Sequence, residues 1–246
     1  MTVEPLMLVV LAGIFVGLLL LAVPIAVVIA IASAATLLLS VAPVPALTTL
    51  AQRVATGLDS FSLLAIPFFV LAGQLMNRGG MARRLVDLGK AIVGGLPGGL
   101  AFVNILACML FGAVSGSAVA AAAAIGTFMT PLMEREGYRR EYGAAVNISA
   151  STTGLLIPPS NILIVYSLAS GGVSISALFV AGYLPGALTG LLLATVAGWI
   201  AYRRGYRSSV QSSLRETGRS FLGALPSLLL IVIVMGGIIG GLFTAT

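Results

Sequence analysis

Two short polar runs interrupt long apolar stretches of this chain. One is Ser115-Gly116-Ser117. The other runs from Ser149 to Asn161 and holds Ser149, Ser151, Thr152, Thr153, Gly154, Pro158, Pro159, Ser160 and Asn161. An alkali cation needs several oxygen ligands. Hydroxyls supply some, and carbonyls freed by a helix break supply more, while helix N-termini aimed at the same cavity favour an anion such as a carboxylate. Pro158 and Pro159 lack backbone donors and clash with the preceding turn, so no straight helix passes through them. The two runs therefore suit one sodium site beside an anionic substrate. A plainer reading stands next to this one: Ser and Thr in membrane helices often bond their own backbone or glue helices together, and paired prolines can be a simple kink.

Other chemistries find no support. The chain has no histidine, which excludes histidine metal sites and histidine acid–base catalysis. Its one cysteine, Cys108, lies in an apolar stretch and reads as a small packing residue. No catalytic dyad lies within the apolar spans, so the chain is not expected to be an enzyme and needs no cofactor beyond a coupling ion.

The elements that position the polar runs are membrane helices. Of 246 residues, 59% are hydrophobic and only 8% charged, with 13 Lys or Arg against 7 Asp or Glu; a soluble domain carries about 25% charge. Mean hydropathy is +1.13. Charge is absent from Pro5 to Gln52, Ser60 to Asn77, Ala91 to Met133, Tyr142 to Tyr202 and Ser220 to Thr246. A span needs roughly 20 apolar residues, so several fit. The composition excludes a soluble enzyme, a nucleic-acid binder and a disordered chain. The runs are continuous rather than alternating, which argues against a β-barrel. A cleavable signal peptide is not expected, because Glu4 stands where a basic region would and the apolar run is too long.

Leu6 to Val41 is too long for one span and is expected to split near Val23-Pro24, one long tilted helix being the alternative. Pro43 to Asp59 and Met81 to Val93 read as amphipathic helices lying on the membrane surface. Phe61 to Met76 is a span ending at Asn77-Arg78-Gly79-Gly80. Leu96 to Met133 reads as a re-entrant hairpin with Ser115-Gly116-Ser117 at its tip, since a polar break at membrane depth is tolerated only inside protein or beside water. Glu134 to Glu141 is a charged loop, and Tyr142 to Ala169 a discontinuous helix. Ser176 to Tyr202 and Phe221 to Phe243 are further spans, joined by a basic loop from Arg203 to Arg219. The fold class is thus an all-α, polytopic membrane bundle with a hairpin and a discontinuous helix. Its parts are expected to be scaffold-type spans and interfacial helices (1–95), a transport-type hairpin and broken helix (96–175), and following spans with the basic loop (176–246).

The basic segments Arg78 to Lys90 and Arg203 to Arg219 belong in the cytoplasm. Five crossings then precede the second, and an odd number would turn a second copy of the unit upside down. Inverted repeats with sites at broken helices are a recurring transporter design. Only one hairpin and one broken helix are found, so the chain reads as one half of such a pair.

Several motifs, in order, resemble one family. They are Leu63-Leu64-Ala65-Ile66-Pro67-Phe68-Phe69 through Leu75-Met76-Asn77-Arg78-Gly79-Gly80, Leu96-Pro97-Gly98-Gly99-Leu100-Ala101, Ser115-Gly116-Ser117-Ala118-Val119-Ala120, Arg135-Glu136-Gly137-Tyr138, Ile157-Pro158-Pro159-Ser160, and Gly236-Gly237 through Gly241-Leu242-Phe243-Thr244. The chain is similar over its whole length to the N-terminal half of the large membrane subunit of tripartite ATP-independent periplasmic (TRAP) transporters. The resemblance implies an elevator transporter of the ion-transporter superfamily in the bacterial inner membrane. It implies sodium-driven import of carboxylates such as C4-dicarboxylates or sialic acids. The implied partners are a small membrane subunit, a periplasmic substrate-binding protein, membrane lipids and a second half of the large subunit; nucleic acid is not among them. The implied sodium site maps onto Ser115, Gly116, Ser117, Thr152, Thr153, Gly154, Pro158, Pro159 and Ser160, leaving Ser149, Ser151 and Asn161 for the substrate. Two positions depart from the pattern: Ala121 stands where members often carry aspartate, and Gln74 where they often carry glutamate. Family members also continue through a second hairpin and broken helix, so the chain is expected to be a truncated product, an expression piece or half of a split permease. The rival expectation is a non-transporting membrane scaffold or remnant.

Overall fold

The computed structural model describes residues 3–59, 61–206 and 214–242. Among them the chain forms twelve helices and no strand. It divides into two compact units, Met1–Ser60 and Phe61–Thr246.

The first unit holds α1 (Val3–Leu20), α2 (Ile25–Leu38) and α3 (Pro43–Leu58). The expected split at Val23-Pro24 is present. Ala22 takes a left-handed φ of 56°, and the Ala22 and Val23 amides turn back to the Leu19 and Leu18 carbonyls at 3.0 and 3.2 Å. This is a Schellman stop in which alanine takes the place glycine usually fills. Pro24 cannot continue α1 and instead opens α2. α2 packs on both α1 and α3, and Val28, Ala32 and Ala46 are the buried side chains.

The second unit is built around α6. It comprises α4 (Phe61–Arg78), α5 (Met81–Val93), α6 (Gly99–Ser115), α7 (Ala118–Arg135), α8 (Arg140–Ser151), α9 (Thr153–Leu156), α10 (Asn161–Ala169), α11 (Ile175–Arg203) and α12 (Leu214–Ile239). α6 packs against α5, α7, α8, α9 and α11. Its Leu100, Val103, Cys108 and Phe111 are core residues together with Leu85 of α5 and Ile125 and Met129 of α7. By length and composition α11 and α12 can each cross a bilayer, and Arg140–Leu156 with Asn161–Ala169 is apolar enough to do so as a pair bent by 51°, either as a broken span or as a re-entrant loop.

Two expectations change. The apolar face of α5 was expected against lipid, but it is covered by α6: Gly89 meets Val103 directly, and Leu85 is fully buried. An apolar stripe at helical spacing fits protein as well as lipid, and the stripe alone does not say which. The basic loop from Arg203 to Arg219 is shorter than expected, because α12 already begins at Leu214 and carries Arg215, Glu216 and Arg219 on its first turns. Residues 207–213 of that loop, and Phe243 to Thr246 of the expected last span and chain end, lie outside the described residues.

The ends of the hairpin meet the end of α11. Tyr206 accepts from the Gly98 amide at 3.1 Å through its carbonyl and from the Arg139 amide at 3.2 Å through its hydroxyl. Its ring stacks on Tyr138 at 4.4 Å. Arg135, Arg139 and Arg140 at this end are balanced by Glu134, Glu136 and Glu141, while Arg203 and Arg204 close α11.

Candidate functional site

The hairpin turns at one residue. α6 stops at Ser115, and Gly116 caps it in a left-handed conformation with φ 61°. Ser117 then opens α7: it is extended, and its hydroxyl accepts from the Ala120 amide, leaving one fewer orphan donor at the helix start. The Ser115 hydroxyl folds back onto the Ser117 amide at 3.4 Å. Ser115 is 1% exposed, so the tip is buried in protein.

The broken helix stops for a different reason. Pro158 and Pro159 have no N–H, so the Gly154 and Leu155 carbonyls lose their usual donors. The Ser160 hydroxyl turns back and donates to Leu155 O at 2.6 Å. Gly154 O keeps no donor from that turn. The Ser160 hydroxyl makes no cap hydrogen bond to α10.

These two interruptions touch. Gly116 O accepts from the Asn161 amide at 3.4 Å. A Cβ on Gly116 would stand 2.8 Å from Pro159 O and 3.4 Å from Ser160 Cα. One turn away the backbones meet again, where a Cβ on Gly112 would fall 2.3 Å from Gly154 Cα. Beyond this contact α10 runs on for nine residues, about 14 Å at helical rise. Four helix ends converge at the contact: the carbonyl ends of α6 and α9 and the amide ends of α7 and α10. Carbonyl ends attract cations and amide ends attract anions. The side-chain oxygen of Asn161 is buried there without a hydrogen-bond partner.

α11 supports the break from behind with a stripe of small residues. A Cβ on Gly182 would lie 2.4 Å from Leu156 O, and one on Gly186 2.5 Å from Ile157 Cγ1. On the other flank α4 reaches the tip, where a Cβ on Gly73 would lie 3.1 Å from Ser115 Cβ. Here a cleft of about 330 Å³ opens between α4 and the hairpin, lined by Gln74, Asn77, Ser115 and Ser117 among apolar neighbours. It contains no charged side chain.

The expected site residues divide into two groups. Ser115, Gly116, Ser117, Gly154, Pro158, Pro159, Ser160 and Asn161 gather around the crossing. Ser151, Thr152 and Thr153 sit on the approach, but their hydroxyls donate to the carbonyls of Ile148, Ser149 and Ala150 at 2.8, 2.7 and 2.6 Å, as the plainer reading of such residues holds. Ser149 lies apart. It is exposed and lines an apolar crevice with Tyr142, Leu193 and Val196. Gln74 and Asn77 were not expected at the site. Their spacing of three places both on one face of α4, and that spacing beside Gly73 was the available signal. Ala121 is fully buried in the core between the hairpin arms and α8.

The sequence profile described as "Tripartite ATP-independent periplasmic transporter, DctM component" matches residues 12–246. The chain is 55% identical over 238 residues to the "Uncharacterized protein YgiK" of Salmonella typhimurium, an alignment covering 97% of this chain and 55% of that protein. It is 43% identical to the C4-dicarboxylate TRAP transporter large permease protein DctM of Pseudomonas aeruginosa, covering 76% of this chain and 44% of that one. With the sialic acid TRAP transporter large permease protein SiaM of Vibrio cholerae the identity is 37%, over 80% of this chain and 46% of that protein. The chain thus spans about half the length of the curated relatives it matches.

Proposed function

Because the chain belongs to the DctM family of TRAP transporter large permeases, and so is an integral inner-membrane transporter component rather than an enzyme, we propose that it forms the N-terminal half of a sodium-coupled permease for carboxylates. The observation that carries this reading is the direct contact of the two interruptions, Gly116 O with the Asn161 amide at 3.4 Å. Around it stand a carbonyl without its usual donor (Gly154) and a buried amide oxygen without a partner (Asn161). Those oxygens are hard ligands suited to sodium. Backbone groups of Ser115, Gly116, Pro158 and Pro159, with the hydroxyls of Ser117, Thr153 and Ser160, complete the proposed ion site. Thr152, whose side chain is exposed, supplies at most its backbone.

The amide ends of α7 and α10 face the same point and favour the carboxylate of a substrate. C4-dicarboxylates and sialic acids are the substrate class supported by the relatives' names. Asn161 would orient the substrate, with Ser149 and Ser151 further along α8. A periplasmic binding protein would deliver it. A small membrane subunit and a second half of the large subunit would complete the path.

The test is uptake by liposomes reconstituted with the chain, its second half, the small subunit and the binding protein. Sodium-dependent carboxylate uptake is the expected result, and uptake indifferent to sodium refutes the coupling. Replacing Ser117 with tryptophan is expected to abolish sodium-dependent thermal stabilisation while leaving membrane insertion intact. Undiminished stabilisation in that variant refutes the site.

A further inference from the structure

A second cleft, away from the tip, opens between α5 and the C-terminal half of α7. It holds about 270 Å³, or about nine water volumes. Its wall is apolar, with Val86, Phe128, Pro131 and Leu132, and its charged side chains are Arg83, Asp87, Lys90 and Arg135. Asp87 is paired with Lys90 at 3.7 Å, while Glu134, next to Arg135, is committed to Arg140 at 3.5 Å. Among the described residues Arg83 and Arg135 make no ion pair. α12 also packs on α5, but among the described residues none of α12 lines the cleft. Two guanidinium groups from two different helices thus share one cleft with a net charge of +2 and an apolar wall. Its α5 wall belongs to the basic segment from Arg78 to Lys90, which the charge rule places on the cytoplasmic side.

We propose that this cleft binds the phosphate of an anionic phospholipid from the cytoplasmic leaflet, with Arg83 and Arg135 holding the phosphate from opposite sides. The planar guanidinium fork suits phosphate oxygens. The apolar wall suits the glycerol and the start of an acyl chain, which a free phosphate lacks. A phosphate held between α5 and α7 ties the second arm of the hairpin to the helix that precedes it. This proposal stands apart from the sodium site, since it uses none of the same residues.

The test uses the full chain in vesicles of phosphatidylcholine alone and of equal parts phosphatidylcholine and phosphatidylglycerol, with retained lipid counted by native mass spectrometry after detergent exchange. Selective retention of phosphatidylglycerol is expected. Each arginine contributes about a factor of five, so R83Q with R135Q is expected to weaken retention about twenty-five-fold, and R84Q on the same helix is expected to leave it unchanged. D87N removes the cleft's one negative charge and is expected to strengthen retention about fivefold; it reads the proposal in the opposite direction and does not depend on how the double variant folds. Unchanged retention in the double variant, no gain in D87N, or equal retention of both lipids overturns the proposal. Displacement of the lipid by millimolar inorganic phosphate overturns the lipid as occupant.

Discussion

Replacing Gly116 with alanine tests the contact on which the site depends. Two costs fall on this one substitution. Gly116 has φ +61°, and an L-residue there costs about 1–2 kcal/mol. The new methyl would also stand 2.8 Å from Pro159 O and 3.3 Å from the Asn161 nitrogen. Both neighbours are backbone, so neither can swing aside, and overpacking of this kind costs about 1–3 kcal/mol. Gly137 is the matched control: its φ is +81°, but nothing lies within 4 Å of its Cβ. Gly137→Ala carries only the backbone cost. Both changes are glycine to alanine, so their effects on the unfolded chain cancel in the difference. G116A is therefore expected to be less stable than G137A by about 1–3 kcal/mol, or about 2–12 °C in melting temperature for a chain of this length. The protein carries its own reporter, because its single cysteine, Cys108, is fully buried and reacts with a thiol-specific dye only as the bundle opens. Equal melting temperatures for the two variants would mean that the tip does not press on the double proline.

Three further outcomes follow from the geometry. Ser160→Ala removes the donor to Leu155 O, leaves that partly buried carbonyl without it and is expected to cost about 1–3 kcal/mol in the same melting assay. Gly186→Leu drives a side chain into Ile157, whose Cγ1 would lie 2.5 Å from the new Cβ; a loss of at least about 1–3 kcal/mol is expected, against almost none for Gly223→Leu, where nothing lies within 4 Å. Tyr138, in the loop between α7 and α8, has its phenol raised above 10.0 by burial, with the Glu136 carboxylate adding to the shift. A raised value in the folded state means that stability is fully present below pH 10.0 and is lost as pH climbs from there toward the folded value. Tyr138→Phe is expected to remove that part of the alkaline loss in urea melts across the range.

The breaks were legible because each rests on backbone chemistry that sequence states directly. A double proline cannot donate, and a glycine between two serines at membrane depth marks a turn. The split at Val23-Pro24 was legible for the same reason, although the residue that takes the left-handed φ is Ala22, which no glycine or asparagine announces. Partners were less legible. Leu85, Leu88 and Ile92 give one apolar stripe whether lipid or protein covers it, and only the fold shows Leu85 and Leu88 buried and Ile92 left exposed. Gln74 was visible as a departure from a family pattern, but its position beside Ser115 needed the approach of Gly73 to the tip. The small-residue face of α11 was present as Gly182, Gly186 and Gly190 at intervals of four, the spacing of close helix packing; what it packs against, the end of α9 for Gly182 and Gly186 and Met109 of α6 for Gly190, has no signature in the sequence.

The hydroxyls near the break point to how such a site is built. Ser151, Thr152 and Thr153 each donate to a carbonyl three residues back, and Ser160 donates to Leu155 O. A hydroxyl that donates in this way keeps its oxygen lone pairs while its proton is held to one side. Each can therefore turn an acceptor toward the cavity without a hydrogen in the way. The same bonds occupy carbonyls that the helix would otherwise share, which tightens the turn leading into the prolines. Engagement with the backbone therefore does not by itself exclude these hydroxyls from the proposed cation site, and Thr153 and Ser160, both fully buried, suit it better than the exposed Thr152. On this argument the shape of the tip contact is set by glycine and proline, through the close approaches of Gly112 to Gly154 and of Gly116 to Pro159, and the polar side chains act within it.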